Sequence, residues 1–141
     1  MTSNQISRRS NKANDAAWWS IVADLAFWTV AGAIGAALSE RLGQWWGIQH
    51  EVLLVVGLAF VVVGAGALFA LNRVGAMSRR GVWVFGVFNL VLAPLAWAMA
   101  SSGWLNVSTA GDTALGWAGA IALVLGIWQL SALLRLQWAR C

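Results

Sequence analysis

Three polar side chains lie within otherwise apolar segments of this sequence: Asp24, Asn89 and Gln129. Counted from the end of its segment nearest to basic residues, each is about five to eight residues deep, or roughly 7 to 12 Å at the ~1.5 Å rise of a helix. These similar depths would allow the three to meet. A carboxylate beside two amides can bind a proton or an ion, and it can also join helices through hydrogen bonds.

Each of these polar residues shares a helical face with small residues, which let helices pack closely. The faces are Asp24 with Trp28, Ala31 and Gly35; Asn89 with Gly86, Ala93, Ala96 and Ala100; and Gln129 with Ala118, Ala122 and Gly126. The second apolar segment offers a comparable face of Ala59, Val63, Gly66 and Ala70. Six glycines are predicted to be helix-packing positions: Gly32, Gly35, Gly66, Gly86, Gly119 and Gly126. We therefore predict a bundle whose interior holds an Asp24–Asn89–Gln129 cluster.

Asp24 has two interpretations. A carboxylate within a membrane costs ~2.5 to 3.5 kcal/mol on insertion scales, so this side chain must be protonated or hydrogen-bonded. In the functional interpretation it is a proton-coupled or ion-binding group. In the structural interpretation it is wetted near the headgroups, or it holds helices together through Asn89. The sequence leaves both open.

Pro94 is the only proline in the chain, and it lies in the third apolar segment. It cannot donate a backbone hydrogen bond to the carbonyl group of Leu90, so it predicts a helix kink one turn beyond Asn89. Such a kink can form a cavity, or it can be a feature of packing alone.

The remaining candidates for chemistry are isolated. His50, the only histidine, lies beside Glu51 without metal-ligand spacing, and Cys141, the only thiol, excludes an internal disulfide. Phosphate-binding glycine loops, nucleophile elbows and Ser–His or Cys–His pairs are absent from the sequence. We therefore predict no metal, no cofactor and no enzymatic activity. The pI of about 11.2 reflects basic residues beside membrane spans, so we predict no nucleic-acid binding.

The elements that must position these residues are membrane spans. The chain has 141 residues, of which 60% are hydrophobic and 10% charged, and its eleven Trp are typical of membrane interfaces. Four apolar runs cover residues 16–38, 52–71, 82–100 and 114–134. Because roughly 20 helical residues cross a ~30 Å hydrocarbon core, each run predicts one span. The fold class is all-α: a four-transmembrane-helix bundle over residues 16–135.

Basic residues predict the orientation. Eight of the nine lie before the first run, between the second and third, or after the fourth, which leaves only Arg41 on the other side. Because short basic loops stay in the cytoplasm, both termini are predicted there. Residues 1–15 would be a disordered basic tail and residues 136–141 a short tail. Of the outer connections, the one with Trp45 and Trp46 is predicted to be an interfacial turn, and the other uses Gly103 to stop a helix and Asp112 to cap the next.

The last third of the chain carries a resemblance. Asn89 in the third span, Ala114-Leu115-Gly116 at the start of the fourth, then Gln129 and Leu134-Arg135 resemble the closing hairpin of small, uncharacterised four-span bacterial integral membrane proteins. The resemblance covers roughly 50 residues and implies a bacterial inner-membrane location, but no activity. Small multidrug transporters share the four-span size, but this chain lacks the Glu motif that they carry in the first span.

Two functions are compatible with these features. In the first, the protein is a non-catalytic accessory or self-assembling membrane subunit, embedded in the lipid bilayer and partnered by copies of itself or a larger membrane complex. In the second, it is a minimal, oligomeric proton-coupled transporter or channel that uses Asp24. Sparse polarity within the spans and short loops favour the first, and only Asp24 specifically favours the second.

Overall fold

A computed structural model of the chain describes residues 3–74, 79–103 and 106–138, and these residues form α-helices and no strand. The helices are α1 (Ser3–Ala37), α2 (Ser39–Trp46), α3 (His50–Val74), α4 (Arg79–Ser102) and α5 (Thr109–Trp138). All except α2 contain a segment long and apolar enough to cross a membrane: Asp15–Ala37, His50–Arg73, Arg80–Ser102 and Thr109–Arg135. The predicted all-α bundle with four such helices is confirmed.

Two helices extend beyond the apolar runs. The α1 helix begins at Ser3 and α5 continues to Trp138, so residues 3–14, predicted to be disordered, have a helical backbone. No glycine or proline occurs between residues 3 and 31, and polar composition alone does not end a helix. Cys141 lies outside the described residues.

The connection predicted to be an interfacial turn contains a short helix, α2. It ends at Gly47, whose φ of 70° is left-handed and whose N–H bonds to the carbonyl oxygen of Gly43, a common way to close a helix. Two bonds tie α2 to the other loop at this end. The Ser108 N–H bonds to the Trp46 carbonyl oxygen at 2.8 Å, and the Ser108 hydroxyl group donates to the Trp45 carbonyl oxygen at 2.5 Å.

Ser108 also begins α5. Its hydroxyl oxygen accepts a hydrogen bond from the Gly111 N–H at 3.2 Å, so Ser108 is the N-cap, and the prediction of Asp112 was wrong. Asp112 lies in the first turn of α5, where a carboxylate interacts favourably with the helix dipole. Gly103 does follow the end of α4, with a left-handed φ of 64°, as predicted.

The long helices are arranged in the order α3–α1–α5–α4. The largest contacts are between α4 and α5 and between α1 and α3, and α1 joins the two pairs through α5. Within the described parts of the chain, α3 and α4 do not pack against each other. The contact between α1 and α5 therefore holds the two halves of the bundle together.

The face of α3 that packs on α1 differs from the prediction. Gly57, Gly64 and Leu71, spaced by seven residues, are buried. The predicted face of Ala59, Val63, Gly66 and Ala70 is exposed. Small residues occur on both faces of α3, so composition alone could not identify the one that contacts α1.

Candidate functional site

Asp24, Asn89 and Gln129 lie together where α1, α4 and α5 meet. Their side chains are buried, with exposed fractions of 2%, 2% and 0%. Two apolar residues near Asp24 on α1 are buried as well: Ile21, one turn before it, is fully buried, and Leu25 is the next residue. The residues next to each of the three in sequence are apolar. Because the three side chains are almost fully buried, the protein encloses the cluster.

Three hydrogen bonds join the cluster. Oδ2 of Asp24 accepts one from Nδ2 of Asn89 and one from Nε2 of Gln129, both at 2.7 Å. Nδ2 of Asn89 also donates to Oε1 of Gln129 at 3.2 Å. One carboxylate oxygen thus connects α1 to both α4 and α5, which is the junction between the two halves of the bundle.

The other carboxylate oxygen is different. Oδ1 of Asp24 is buried and has no hydrogen-bond partner. An unpaired buried oxygen is costly when it carries charge, so Oδ1 is the position where a proton, a cation or a water molecule would be stabilising.

Glycines let α4 and α5 approach beside the cluster. A Cβ atom on Gly126 would lie 3.0 Å from the carbonyl oxygen of Gly86. One on Gly86 would lie 3.4 Å from Cβ of Gln129. Further along the same contact, a Cβ atom on Gly119 would lie 2.7 Å from Nε1 of Trp97. The predicted packing role therefore fits the surroundings of these three glycines.

The other three predicted packing glycines differ in their surroundings. A Cβ atom on Gly32 would lie 2.6 Å from Cβ of Phe60, so this glycine permits the contact between α1 and α3. No atom lies within 4 Å of a Cβ atom built on Gly35 or Gly66. Within the described parts of the chain these two glycines do not mediate helix packing, because the α1–α3 contact passes through Gly32 and Gly57 instead.

The isolated candidates lie elsewhere. Pro94 is inside α4, which is helical on both sides of it, and its side chain is exposed. Nδ1 of His50 lies 3.3 Å from Oε2 of Glu51, and both side chains are more than half exposed. No group of His, Cys, Asp or Glu suited to a metal ion occurs among the described residues. The structure brings none of these candidates to the cluster.

Sequence reasoning missed two cavities at the α2 end of the bundle. One is apolar and extends between α1 and α5, and the other is lined by polar residues around His50. The residues of the apolar cavity come from four separate helices, so no local spacing marks it. The polar cavity is lined by residues 40–51 alone. The paired Trp45 and Trp46 and the neighbouring His50 and Glu51 were the local signals there, and they indicated an interface without a cavity.

Comparison with known proteins gives no relative: no family model, curated protein or solved structure matches this chain. Only the residues of the chain itself therefore bear on its function.

Proposed function

We propose that this protein is a non-catalytic, multi-pass protein of the bacterial inner membrane, with both termini in the cytoplasm, that acts as an accessory or self-assembling subunit. The observation that supports this most is the closure of the polar cluster. Asp24, Asn89 and Gln129 bond to one another and are at most 2% exposed. A site built this way holds helices together.

Two hydroxyl groups of α1, on either side of Asp24 in sequence, support the same function. The Thr29 hydroxyl group donates to the carbonyl oxygen of Leu25 at 2.6 Å, and that of Ser20 donates to the carbonyl oxygen of Ala17 at 2.8 Å. Each is engaged within its own helix, a common arrangement for buried Ser and Thr. Neither extends the cluster into a polar route across the bundle, which transport would require.

The exposed side of α3 supports assembly with another chain. Val55, Val62 and Phe69 are 65%, 70% and 63% exposed and are spaced by seven residues. Since α3 has one long neighbour, α1, in the described structure, this face is free for lipid or for a further helix. Seven-residue spacing of apolar residues suits the left-handed crossing of helices that is common in membranes.

Native mass spectrometry of the protein, extracted gently from its own membrane, tests this function. We expect a complex, either of identical copies or with a larger membrane protein. Substitution of Val62 by Trp should weaken that complex, whereas Val84→Trp on α4, also at an exposed position, serves as the control. A monomer at every detergent concentration would contradict the proposal.

A second candidate function is proton-coupled transport by an oligomer, and the specific observation in its favour is the unpaired Oδ1 of Asp24. A buried oxygen without a donor is a binding position for a proton. Proteoliposomes with a pH-sensitive dye inside test it. Proton flux that disappears in Asp24→Asn would favour transport, and equal flux in both proteins and in empty liposomes would exclude it.

A further inference from the structure

An apolar groove follows α5 at the end of the bundle that carries α2. Its volume is about 420 Å³, and its walls include Phe27 and Trp28 of α1, Trp46 of α2, and Leu115, Trp117 and Ile121 of α5. We call it the α1–α5 groove. Its volume is within the usual range for ligand sites, and almost all of its lining is apolar.

The α5 wall of the α1–α5 groove is long. It begins at Gly111 and continues to Ile121, a distance of about 15 Å at ~1.5 Å per helical residue. It therefore extends from the α2 end towards the middle of the span. An extended hydrocarbon chain fits such a shape better than a compact ligand does.

A polar cavity of about 410 Å³ lies at the same end of the bundle and shares one lining residue, Ile48, with the groove. Its other lining residues are Glu40, Gly43, Gln44, Gln49, His50 and Glu51. No lysine or arginine is among them. Nδ1 of His50 lies 3.3 Å from Glu51, and the two carboxylates together favour a cationic group that donates hydrogen bonds. The side-chain amides of Gln44 and Gln49 can donate to a phosphate group.

We propose that the groove and the polar cavity together bind one phospholipid with a primary ammonium headgroup. One of its acyl chains occupies the α1–α5 groove. The ammonium group donates hydrogen bonds to Glu40 and Glu51. An anionic headgroup lacks this attraction and meets two carboxylates instead. A choline headgroup carries the charge but has no N–H to donate. This inference is independent of the proposed assembly and transport functions.

Competition among lipids tests the proposal. The full-length protein is reconstituted in vesicles with equal amounts of phosphatidylethanolamine, phosphatidylcholine and phosphatidylglycerol that have identical acyl chains, and the retained lipid is identified by native mass spectrometry. We expect one phosphatidylethanolamine per chain. It should be preferred about fivefold over phosphatidylglycerol, the ratio that a single charge contact at a membrane surface gives, and about fivefold over phosphatidylcholine, the ratio that one net hydrogen bond gives. Equal retention of all three, or of the ethanolamine and choline lipids, overturns the proposal.

Variants locate the site. The double variant Glu40→Gln and Glu51→Gln should lose the preference for phosphatidylethanolamine, and Asp112→Asn, which removes an acid outside both cavities, should keep it. Ala118→Phe, which fills the α1–α5 groove, should lower the retention of every lipid; if that variant does not fold, the Glu variants decide. A preference that persists in the double variant, or a second protein chain in place of the lipid, overturns the proposal.

Discussion

At the scale of single residues, the two oxygens of Asp24 differ in their surroundings. Oδ2 accepts hydrogen bonds from Asn89 and Gln129, and Oδ1 accepts none. An Asn side chain at this position can place its carbonyl oxygen at Oδ2 and keep both bonds. Its neutral amide then occupies the position of Oδ1. The cluster therefore requires an acceptor at Oδ2 more than it requires a negative charge.

We expect Asp24→Leu to lower the free energy of unfolding by about 1–3 kcal/mol more than Asp24→Asn does. Leu removes the acceptor of the buried Gln129 amide and one of the two acceptors of the Asn89 amide. Reversible unfolding by SDS in mixed micelles, followed by circular dichroism, measures the difference. Ser20→Ala is the control, since the hydroxyl group of Ser20 bonds only within α1 and its loss should have a small effect. Equal losses for Asn and Leu would show that the charge itself is required.

The glycines of α3 provide a second comparison at this scale. A Cβ atom on Gly57 would lie 2.6 Å from the carbonyl oxygen of Gly32, whereas one on Gly66 would meet nothing within 4 Å. We expect Gly57→Ala to lower the free energy of unfolding by about 1–3 kcal/mol through overpacking. Gly66→Ala should leave it unchanged or raise it by up to about 1 kcal/mol.

The same SDS titration measures both variants, and the pair Gly32→Ala and Gly35→Ala repeats the comparison on α1. A loss for Gly66→Ala as large as that for Gly57→Ala would mean that another chain packs on the exposed face of α3. That outcome would contradict this prediction and would support the assembly proposed for that face.

The residues of the cluster could be predicted because depth and helical face are both readable from sequence. Asp24, Asn89 and Gln129 are polar within apolar runs. Their similar depths predicted that they lie at the same level of the membrane, and helical spacing predicted that they face the interior of the bundle. The roles of Gly35 and Gly66 could not be predicted in this way. Close packing depends on which face of a neighbouring helix approaches, and α3 has small residues on both faces.

At the scale of the helices, boundaries and caps were less predictable than the helices themselves. The eight residues of α2 are too short for periodicity to distinguish a helix from a turn. The cap of α5 is Ser108, which also bonds to Trp45 and Trp46. That second role depends on α2, a contact between distant parts of the chain that local sequence does not contain.

The prediction at the scale of a helix concerns Pro94 in α4. Proline in a helix interior loses one backbone hydrogen bond and costs ~3 kcal/mol or more in water. The side chain of Pro94 is exposed, so Ala can replace it without creating a cavity. We expect Pro94→Ala to raise the free energy of unfolding in the SDS titration, by up to about 3 kcal/mol.

The alternative is that the shape of α4 at Pro94 positions Asn89. In that case Pro94→Ala would lower the free energy of unfolding, and this loss would disappear when Asn89→Leu is also present. Leu95→Ala, at the neighbouring exposed position, controls for the change in side-chain size.

At the scale of the whole molecule, the sequence predicted four spans but not their neighbours. Hydropathy identifies each span by itself, whereas the order α3–α1–α5–α4 depends on which faces meet. The cluster between α1, α4 and α5 is consistent with this order, since α3 contributes no residue to it. The α1–α5 groove depends on that assembly, because its walls come from α1, α2, α3 and α5.

The orientation of the whole molecule is the last prediction. Four crossings place both termini on one side, and Arg73 and Arg80, in the last turn of α3 and the first turn of α4, place the α3–α4 connection there too. Green fluorescent protein after Cys141 should fluoresce, and alkaline phosphatase there should be inactive, because the first matures in the cytoplasm and the second outside it. Alkaline phosphatase after Gly103 should be active.

Replacing Arg73 and Arg80 by Glu should reduce the difference in phosphatase activity between the two fusion positions, whereas replacing the exposed Arg41 should not. An active phosphatase after Cys141 would contradict the assignment and place the polar cavity on the cytoplasmic side.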